Sequence, residues 1–337
     1  MKVSIPLLLL IVIAFVGSLL AGRVWLPPGS LFSALSSPDS LAGLIIHDIR
    51  LPRTVLALMT GGVLGLSGAV LQGFTRNPLA EPALLGVSSG AALGAVIAIY
   101  FGLAGLSAFA GPLMGIMGAV LACALTFALG QGLKGGGTVA LVLAGAAVSS
   151  LTAAGIALAL NFAPNPYAAY EIMSWLLGSL ADKSWDQVLL VLPFAFVGCA
   201  LLAMTGRALD SLSLGEIQAE SLGFDLTNLA ALVVAGTALS VGAITSVTGA
   251  IGFIGLVAPH LVRPLVGYEP RRVLLPAALT GALLLLCSDI AARLVHTNPE
   301  LRLGVFTSLL GTPFFFWLVV RIRKVAPSPY WRPKISP

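Results

Sequence analysis

The chain has 337 residues, 58% of them hydrophobic and only 9% charged. Soluble domains carry roughly 25% charged residues, and the 18 basic and 13 acidic side chains here are too few to cover a folded surface in water. A soluble enzyme, a nucleic-acid binder and a disordered chain are thereby disfavoured. The net charge of +5 comes from scattered basic residues in short loops, a pattern that orients membrane proteins and does not point to nucleic acid.

A spanning helix needs about 20 apolar residues. Charge-free stretches of that order recur along the chain. Residues 3–22 form the first, read as a retained span because Leu20-Ala21-Gly22-Arg23 lacks a small-x-small cleavage pattern. Residues 54–75 form the second. The stretch 82–133 is too long for one crossing and is broken by the cluster at 102–112. Crossings follow at 138–160 and 187–206, separated by a polar, proline-containing stretch at 161–167. Residues 226–262 again exceed one helix; Thr248-Gly249, Gly252 and Gly255 mark a break, and the second piece reads as a short span buried in protein. Residues 273–295, charge-free as far as Asp289, and 303–320 complete the set. The expectation is an all-α polytopic membrane protein, one permease-sized domain over 1–337, with about ten crossings.

An even number of crossings puts both termini on one side. A cytoplasmic placement assigns to that side Lys2, Arg76, Lys134, Arg207, Arg263, Arg271, Arg272, Arg321, Arg323, Lys324, Arg332 and Lys334. Arg23, Arg50, Arg53, Lys183, Arg293 and Arg302 fall on the other side. That excess favours both ends inside and a multi-pass protein of the inner membrane. Small residues at helical spacing, Gly86/Gly90/Gly94, Gly61/Gly65 and Gly111/Gly115, predict close helix packing. Cys123, Cys199 and Cys287 lie in apolar runs without metal-site spacing and are read as buried packing residues.

No G-x-x-x-x-G-K-[ST] phosphate loop occurs, nor a string of intramembrane carboxylates of the kind ion-coupled carriers use. Asp289 and Glu81 come nearest, and both sit towards span ends. The segment 207–225 differs from the other loops. Leu214, Ile217 and Leu222 alternate with Glu216 and Glu220, punctuated by Gly215 and Gly223. This predicts one or two short amphipathic helices. With Asp210, Glu216, Glu220 and Asp225 against Arg207, anionic lipid would repel the segment and a protein partner is favoured. At the opposite side Arg50, Arg53 and Arg293 are read equally as exposed groups docking an acidic partner and as snorkelling residues at helix ends.

The runs Arg50-Leu51-Pro52-Arg53-Thr54, Ser67-Gly68-Ala69-Val70-Leu71-Gln72, Arg76-Asn77-Pro78-Leu79-Ala80-Glu81-Pro82 and Leu85-Gly86-Val87 resemble the permease family that imports iron-siderophores, haem and cobalamin. So do Gly252-Phe253-Ile254-Gly255-Leu256-Val257-Ala258-Pro259-His260, Arg272-Val273-Leu274-Leu275-Pro276, Ser288-Asp289-Ile290-Ala291-Ala292-Arg293 and Gly304-Val305-Phe306-Thr307. The resemblance implies a ten-span permease, working as a homodimer or pseudo-dimer with two cytoplasmic ATPase subunits and one periplasmic binding protein. ATP and magnesium would lie on the ATPase, with no cofactor or metal on this chain. It assigns Leu209, Leu214, Gly215, Glu216, Ile217, Glu220, Leu222 and Gly223 to ATPase coupling. Arg50, Arg53 and Arg293 would meet glutamates of the binding protein. Ala144, Gly145, Ala147, Ser149 and Ser150 would line the translocation path beside the dimer interface, together with the last span.

Gln72, Asn77, Pro78, Pro82, Gly86, Gly255, Pro259 and His260 belong to the matching motifs and are read as structural. His260 has no second histidine or carboxylate at ligand spacing. Ser67-Gly68-Ala69-Val70 and Thr248-Gly249-Ala250-Ile251 share a loose pattern that fits an internal repeat. Ferric siderophore ranks first among cargoes, with haem and cobalamin behind, a ranking that rests on the family alone. The rivals are a secondary transporter of a small solute without an ATPase and an intramembrane enzyme. The latter needs a nucleophile–base pair or metal that His47, His260 and His296 do not supply.

Overall fold

A computed structural model describes residues 3–22, 24–105, 107–132, 137–295 and 300–325. Lys2, Arg23, Lys134, His296, Arg332 and Lys334, used in the reading above, lie outside them. The described residues form helices and no strand. Helix α1 (Ser4–Leu20) is followed by short α2 (Gly29–Ser36) and α3 (Leu41–Leu44), then a π-helical turn, Ile45–Arg50, that runs into α4 (Leu51–Thr75). A 3₁₀ turn, Pro82–Leu85, leads into α5 (Val87–Tyr100). There follow α6 (Ala110–Gly132), α7 (Gly137–Asn161), α8 (Pro166–Leu176), α9 (Trp185–Met204), α10 (Gly206–Leu212) and α11 (Glu216–Ser221). The chain continues through α12 (Leu226–Thr248), α13 (Ile254–Val266), α14 (Pro270–Leu294) and α15 (Leu303–Val325).

Among the described residues, six helical stretches are long and apolar enough to cross a membrane: Leu41–Thr75, Ala110–Gln131, Thr138–Asn161, Trp185–Met204, Leu226–Thr248 and Pro270–Leu294. Four shorter apolar helices accompany them: Ser4–Leu20, Val87–Tyr100, Ile254–Val266 and Leu303–Phe316. Each crossing expected from the sequence has a helix here. Helices α2, α3 and α8 were not expected. The polar stretch before α8 is its cap, Asn165 Oδ1 accepting from the Ala168 N–H at 2.9 Å.

Hydropathy makes these helices look alike, but packing separates them. The most apolar windows of Leu41–Thr75 and Leu226–Thr248 are each 78% buried, against 33% for Thr138–Asn161 and 28% for Trp185–Met204. Helices α4 and α12 therefore form the centre, and α7 and α9 the rim. Glycine sets the closest approaches: a Cβ at Gly61 or Gly65 would run into the Gly281 or Ala277 carbonyl of α14, and one at Gly94 into the Met114 carbonyl of α6. Gly111 of the predicted small-residue faces has nothing within 4 Å, while Gly115 meets Ser246 of α12. Cys123 is buried and Cys199 partly so; Cys287 is exposed on α14, against the expectation that all three are buried.

The sequence predicts a single short buried span, and the structure holds two. Helix α13 has 13 residues and α5 has 14, about 20 Å each at 1.5 Å per residue, against about 30 Å of hydrocarbon. Both begin inside the bundle. A Cβ on Gly255 would come within 3.0 Å of the Leu64 carbonyl oxygen and of Pro82 Cδ, and one on Gly68 would run into the Gly255 carbonyl, so the two helix starts meet beside the middle of α4. Composition hides the break before α5, because residues 82–86 are apolar; Gly86 at φ +76° ends the 3₁₀ turn. The two quartets proposed as a repeat occupy different settings: Gly68 lies inside α4 and Gly249, at φ +71°, ends α12.

Candidate functional site

At the end of the bundle that carries α2, α3 and α8, the last carbonyls of α1 have no helical partner. Two arginines take them. Arg50, at the end of the π-helical turn, donates through Nη1 to the Leu19 and Leu20 carbonyls (2.9 and 2.6 Å) and through Nη2 to the Val24 carbonyl at 2.6 Å. Arg293, in the last turn of α14, donates through Nη1 to the Ser18 and Ala21 carbonyls (2.9 and 3.0 Å) and through Nη2 to Ser18 Oγ. Ser18 Oγ in turn lies 2.8 Å from Thr54 Oγ1. Arg50 and Arg293 are 7% and 6% exposed, which corrects the expectation that both stand free on the surface. Positive charge at a helix C-terminus is favourable, and this task occupies both side chains.

Arg53 holds the centre of this end. Its Nε and Nη2 donate to Asp289 Oδ1 at 3.0 and 2.8 Å, and its Nη1 to Glu300 Oε2 at 3.2 Å. A further bond joins Nη2 to Glu300 Oε1. Asp289, fully buried, also pairs with Arg293 at 2.5 Å, so one carboxylate serves two guanidinium groups and offsets their burial. Arg302 donates to Ser174 Oγ of α8. A cavity of about 630 Å³ opens here, bounded by Asp48, Arg53, Asp182, Lys183, Glu300 and Arg302. Burial pushes the Lys183 ammonium below its ordinary range, opposed by Asp182 and reinforced by Arg302. Glu300, Lys183 and Arg302 escape sequence reasoning about a site, because their loops come together only when α4, α9 and α14 pack.

At the opposite end the predicted amphipathic segment folds as α10 and α11. Gly215 (φ +121°) turns the chain between them and Gly223 (φ +86°) turns it again after α11. Leu209 is fully buried, with Leu212 and Ala219; its side chain lies beside Gly73 of α4 and faces into the bundle. Leu214, Ile217 and Leu222 are 66%, 75% and 61% exposed. Three of the four acids have internal duties. Glu216 binds Arg76 at 3.2 Å and Thr138 Oγ1 at 2.8 Å. Asp210 accepts the Arg271 N–H at 2.9 Å, and Asp225 caps α12 through the Thr227 and Asn228 N–H groups. Glu220 remains exposed beside the apolar trio.

The residues expected on the translocation path divide between two faces of α7. Ala144 and Gly145 are buried, Gly145 pressed on the Leu84 carbonyl, and Ser149 Oγ lies 3.4 Å from Ser89 Oγ. Ala147 and Ser150 face outward. A second cavity, of about 610 Å³, lies between α8, the α12–α13 break and α15, and is bounded by Leu177, Ala250, Gly252, Gly304, Ser308 and Thr312. The motif residues hold the frame. Gln72 donates to the Leu256 carbonyl at 3.2 Å and accepts from Arg263 at 2.7 Å. Asn77 Oδ1 accepts from the Leu79 N–H at 2.9 Å, next to exposed Pro78. Pro82 opens the 3₁₀ turn, Pro259 lies inside α13, and His260 packs edge-on against Phe314 at 5.7 Å between centroids. Among the described residues no three His, Cys, Asp or Glu side chains gather as metal ligands.

The profile of the FecCD transport family matches residues 9–321. The vitamin B12 import system permease protein BtuC of Klebsiella pneumoniae is 40% identical over 319 residues, 94% of this chain and 93% of that one. The iron(3+)-hydroxamate import system permease protein FhuB of Bacillus subtilis is 41% identical over 289 residues, covering 85% and 74%. Among solved structures, a metal-chelate type ABC transporter in an inward-facing conformation superposes with a TM-score of 0.83 at 33% identity, over 95% of this chain and 99% of that one. PsaBC of Streptococcus pneumoniae, at 15% identity and a TM-score of 0.51, shares the fold alone. With a match through nearly the whole chain and relatives of like length, the chain belongs to the FecCD transport family of ABC-importer permeases.

Proposed function

We propose that this chain forms the membrane path of a binding-protein-dependent ABC importer for a bulky metal chelate. Its ten apolar helices cross the inner membrane with both termini in the cytoplasm. A second copy completes the path, two ATPase subunits drive it from the cytoplasm, and a periplasmic binding protein delivers the cargo. ATP and magnesium are bound by the ATPase. The observation that carries the reading is the family match through residues 9–321. The exposed trio Leu214, Ile217 and Leu222 on a segment outside the spans supports the ATPase contact. Arg53, Lys183 and Arg302 on one cavity, balanced there by Asp48, Asp182 and Glu300, support docking of an acidic partner at the other face.

Alternating access on this reading needs no chemistry on the chain. Closure of the ATPase pair moves α10 and α11, and the packed bundle turns that motion into a rigid-body change around the path. Arg53 meets the binding protein, with Lys183 and Arg302 beside it, while Arg50 and Arg293 hold the end of α1. Ferric siderophore is the first cargo assignment, with haem and cobalamin behind it; the relatives named for iron(3+)-hydroxamate and for vitamin B12 are about equally similar to this chain. Proteoliposomes containing the permease, its ATPase and its binding protein test both. Uptake of labelled ferric hydroxamate or cyanocobalamin that requires ATP and all three components is the expected result. Uptake by the permease alone would instead identify a secondary transporter.

A further inference from the structure

The cavity around Arg53 is bounded by three cations, Arg53, Lys183 and Arg302, and three acids, Asp48, Asp182 and Glu300. It is formally neutral, and it offers an incoming carboxylate little until one of its own acids moves. A guanidinium presents five N–H donors in a fixed fork, and Arg53 spends that fork on two carboxylates. Asp289 cannot yield, since it is fully buried and shared with Arg293. Glu300 can: its side chain is 26% exposed, and it lies outside any helix, three residues before the start of α15.

We propose that Glu300 is a placeholder on Arg53, which an acidic side chain of the docking binding protein displaces, and that its release loosens the lead-in to α15. The proposal rests on the reading of this face as the docking surface. Glu300 ties the lead-in to Arg53 of α4, and Arg302 ties it to Ser174 of α8. Losing the first frees the Glu300 side of the lead-in, while the chain from Leu303 and Gly304 onward stays packed in the bundle. The Gly304, Ser308 and Thr312 positions of α15 border the 610 Å³ cavity, so docking would be reported directly to a wall of that cavity. Displacement also makes docking selective, because a partner must outcompete an intramolecular carboxylate with a properly placed one of its own.

The test measures binding of the transporter's own periplasmic binding protein, purified and fluorescently labelled, to the complete permease–ATPase complex in nanodiscs. Glu300→Gln is expected to tighten binding about tenfold, and Arg53→Gln to abolish it. Loss with Arg53→Gln but unchanged or weaker binding with Glu300→Gln would overturn the placeholder and leave Arg53 docking standing. Unchanged binding with Arg53→Gln would overturn both. A second measurement leaves the ion pair intact: with Leu301→Cys, an aqueous maleimide should label faster once the binding protein is docked. An unchanged labelling rate would overturn the release of Glu300.

Discussion

Asp289 carries the largest consequence of any single side chain. It is buried between Arg53 and Arg293, and replacing it by Ala leaves two guanidinium groups short of a counter-charge at the bundle end. Breaking a buried pair costs about 3–5 kcal/mol, and thermal unfolding of Asp289→Ala in detergent should fall accordingly. Arg50 separates structure from docking. Arg50→Ala removes the bonds to the Leu19, Leu20 and Val24 carbonyls; Leu20 keeps the Leu26 N–H and Val24 is exposed, so the buried Leu19 carbonyl is left unpaired, at about 1–3 kcal/mol. Stability should drop while affinity for the binding protein stays within about twofold, an energy difference well under 1 kcal/mol. A loss of affinity matching that of Arg53→Gln would show that Arg50 docks after all. An arginine in a loop motif reads the same from sequence whether it meets a partner or caps a helix; only the position of the α1 carbonyls distinguishes the two.

Among the elements, α10 and α11 divide cleanly into an anchored face and a free one. Leu209, Leu212 and Ala219 are buried, and Leu214, Ile217 and Leu222 are exposed. Ile217→Asp combined with Leu222→Asp should leave the permease folded and abolish its assembly with the ATPase, read by co-purification. Assembly at the wild-type level would remove the coupling role. Helix α4 makes the opposite case. Gly61 and Gly281 approach too closely for any Cβ, so Gly61→Val must push α14 aside. Overpacking costs about 1–3 kcal/mol, and a backbone contact leaves no flexible side chain to absorb it. A lowered thermal midpoint with more aggregate on size exclusion is the expected outcome. The glycine spacing was legible as packing; which helix each face meets was not, because periodicity defines a face and says nothing of its neighbour.

For the whole molecule, the proposed topology puts α10–α11 and the Arg53 cavity on opposite sides of the membrane. Ser221→Cys and Asp186→Cys, both at exposed positions, should report this with a membrane-impermeant maleimide. In intact spheroplasts Asp186→Cys should label and Ser221→Cys should not; the reverse pattern would invert the orientation. The central position of α4 and α12 and the rim position of α7 and α9 also set expectations for partners. Exposed Val139, Leu143, Leu151 and Leu158 of α7 offer an apolar face to lipid or to a second copy.

Composition and hydrophobic run length determined by themselves that the chain is a helical membrane protein, because apolar surface without charge can only be covered by lipid or by itself. They also located the apolar helices and the one unusual loop, since run length and amphipathic spacing are local properties, but not α2, α3 and α8. The motifs in order pointed to the family. Tertiary structure decided the rest. It decided that two helices begin in the interior, that two of three arginines are caps, and that Glu300 shares Arg53 with Asp289. Each of these depends on groups distant in sequence meeting in space, where burial and pairing determine what a charged side chain is free to do.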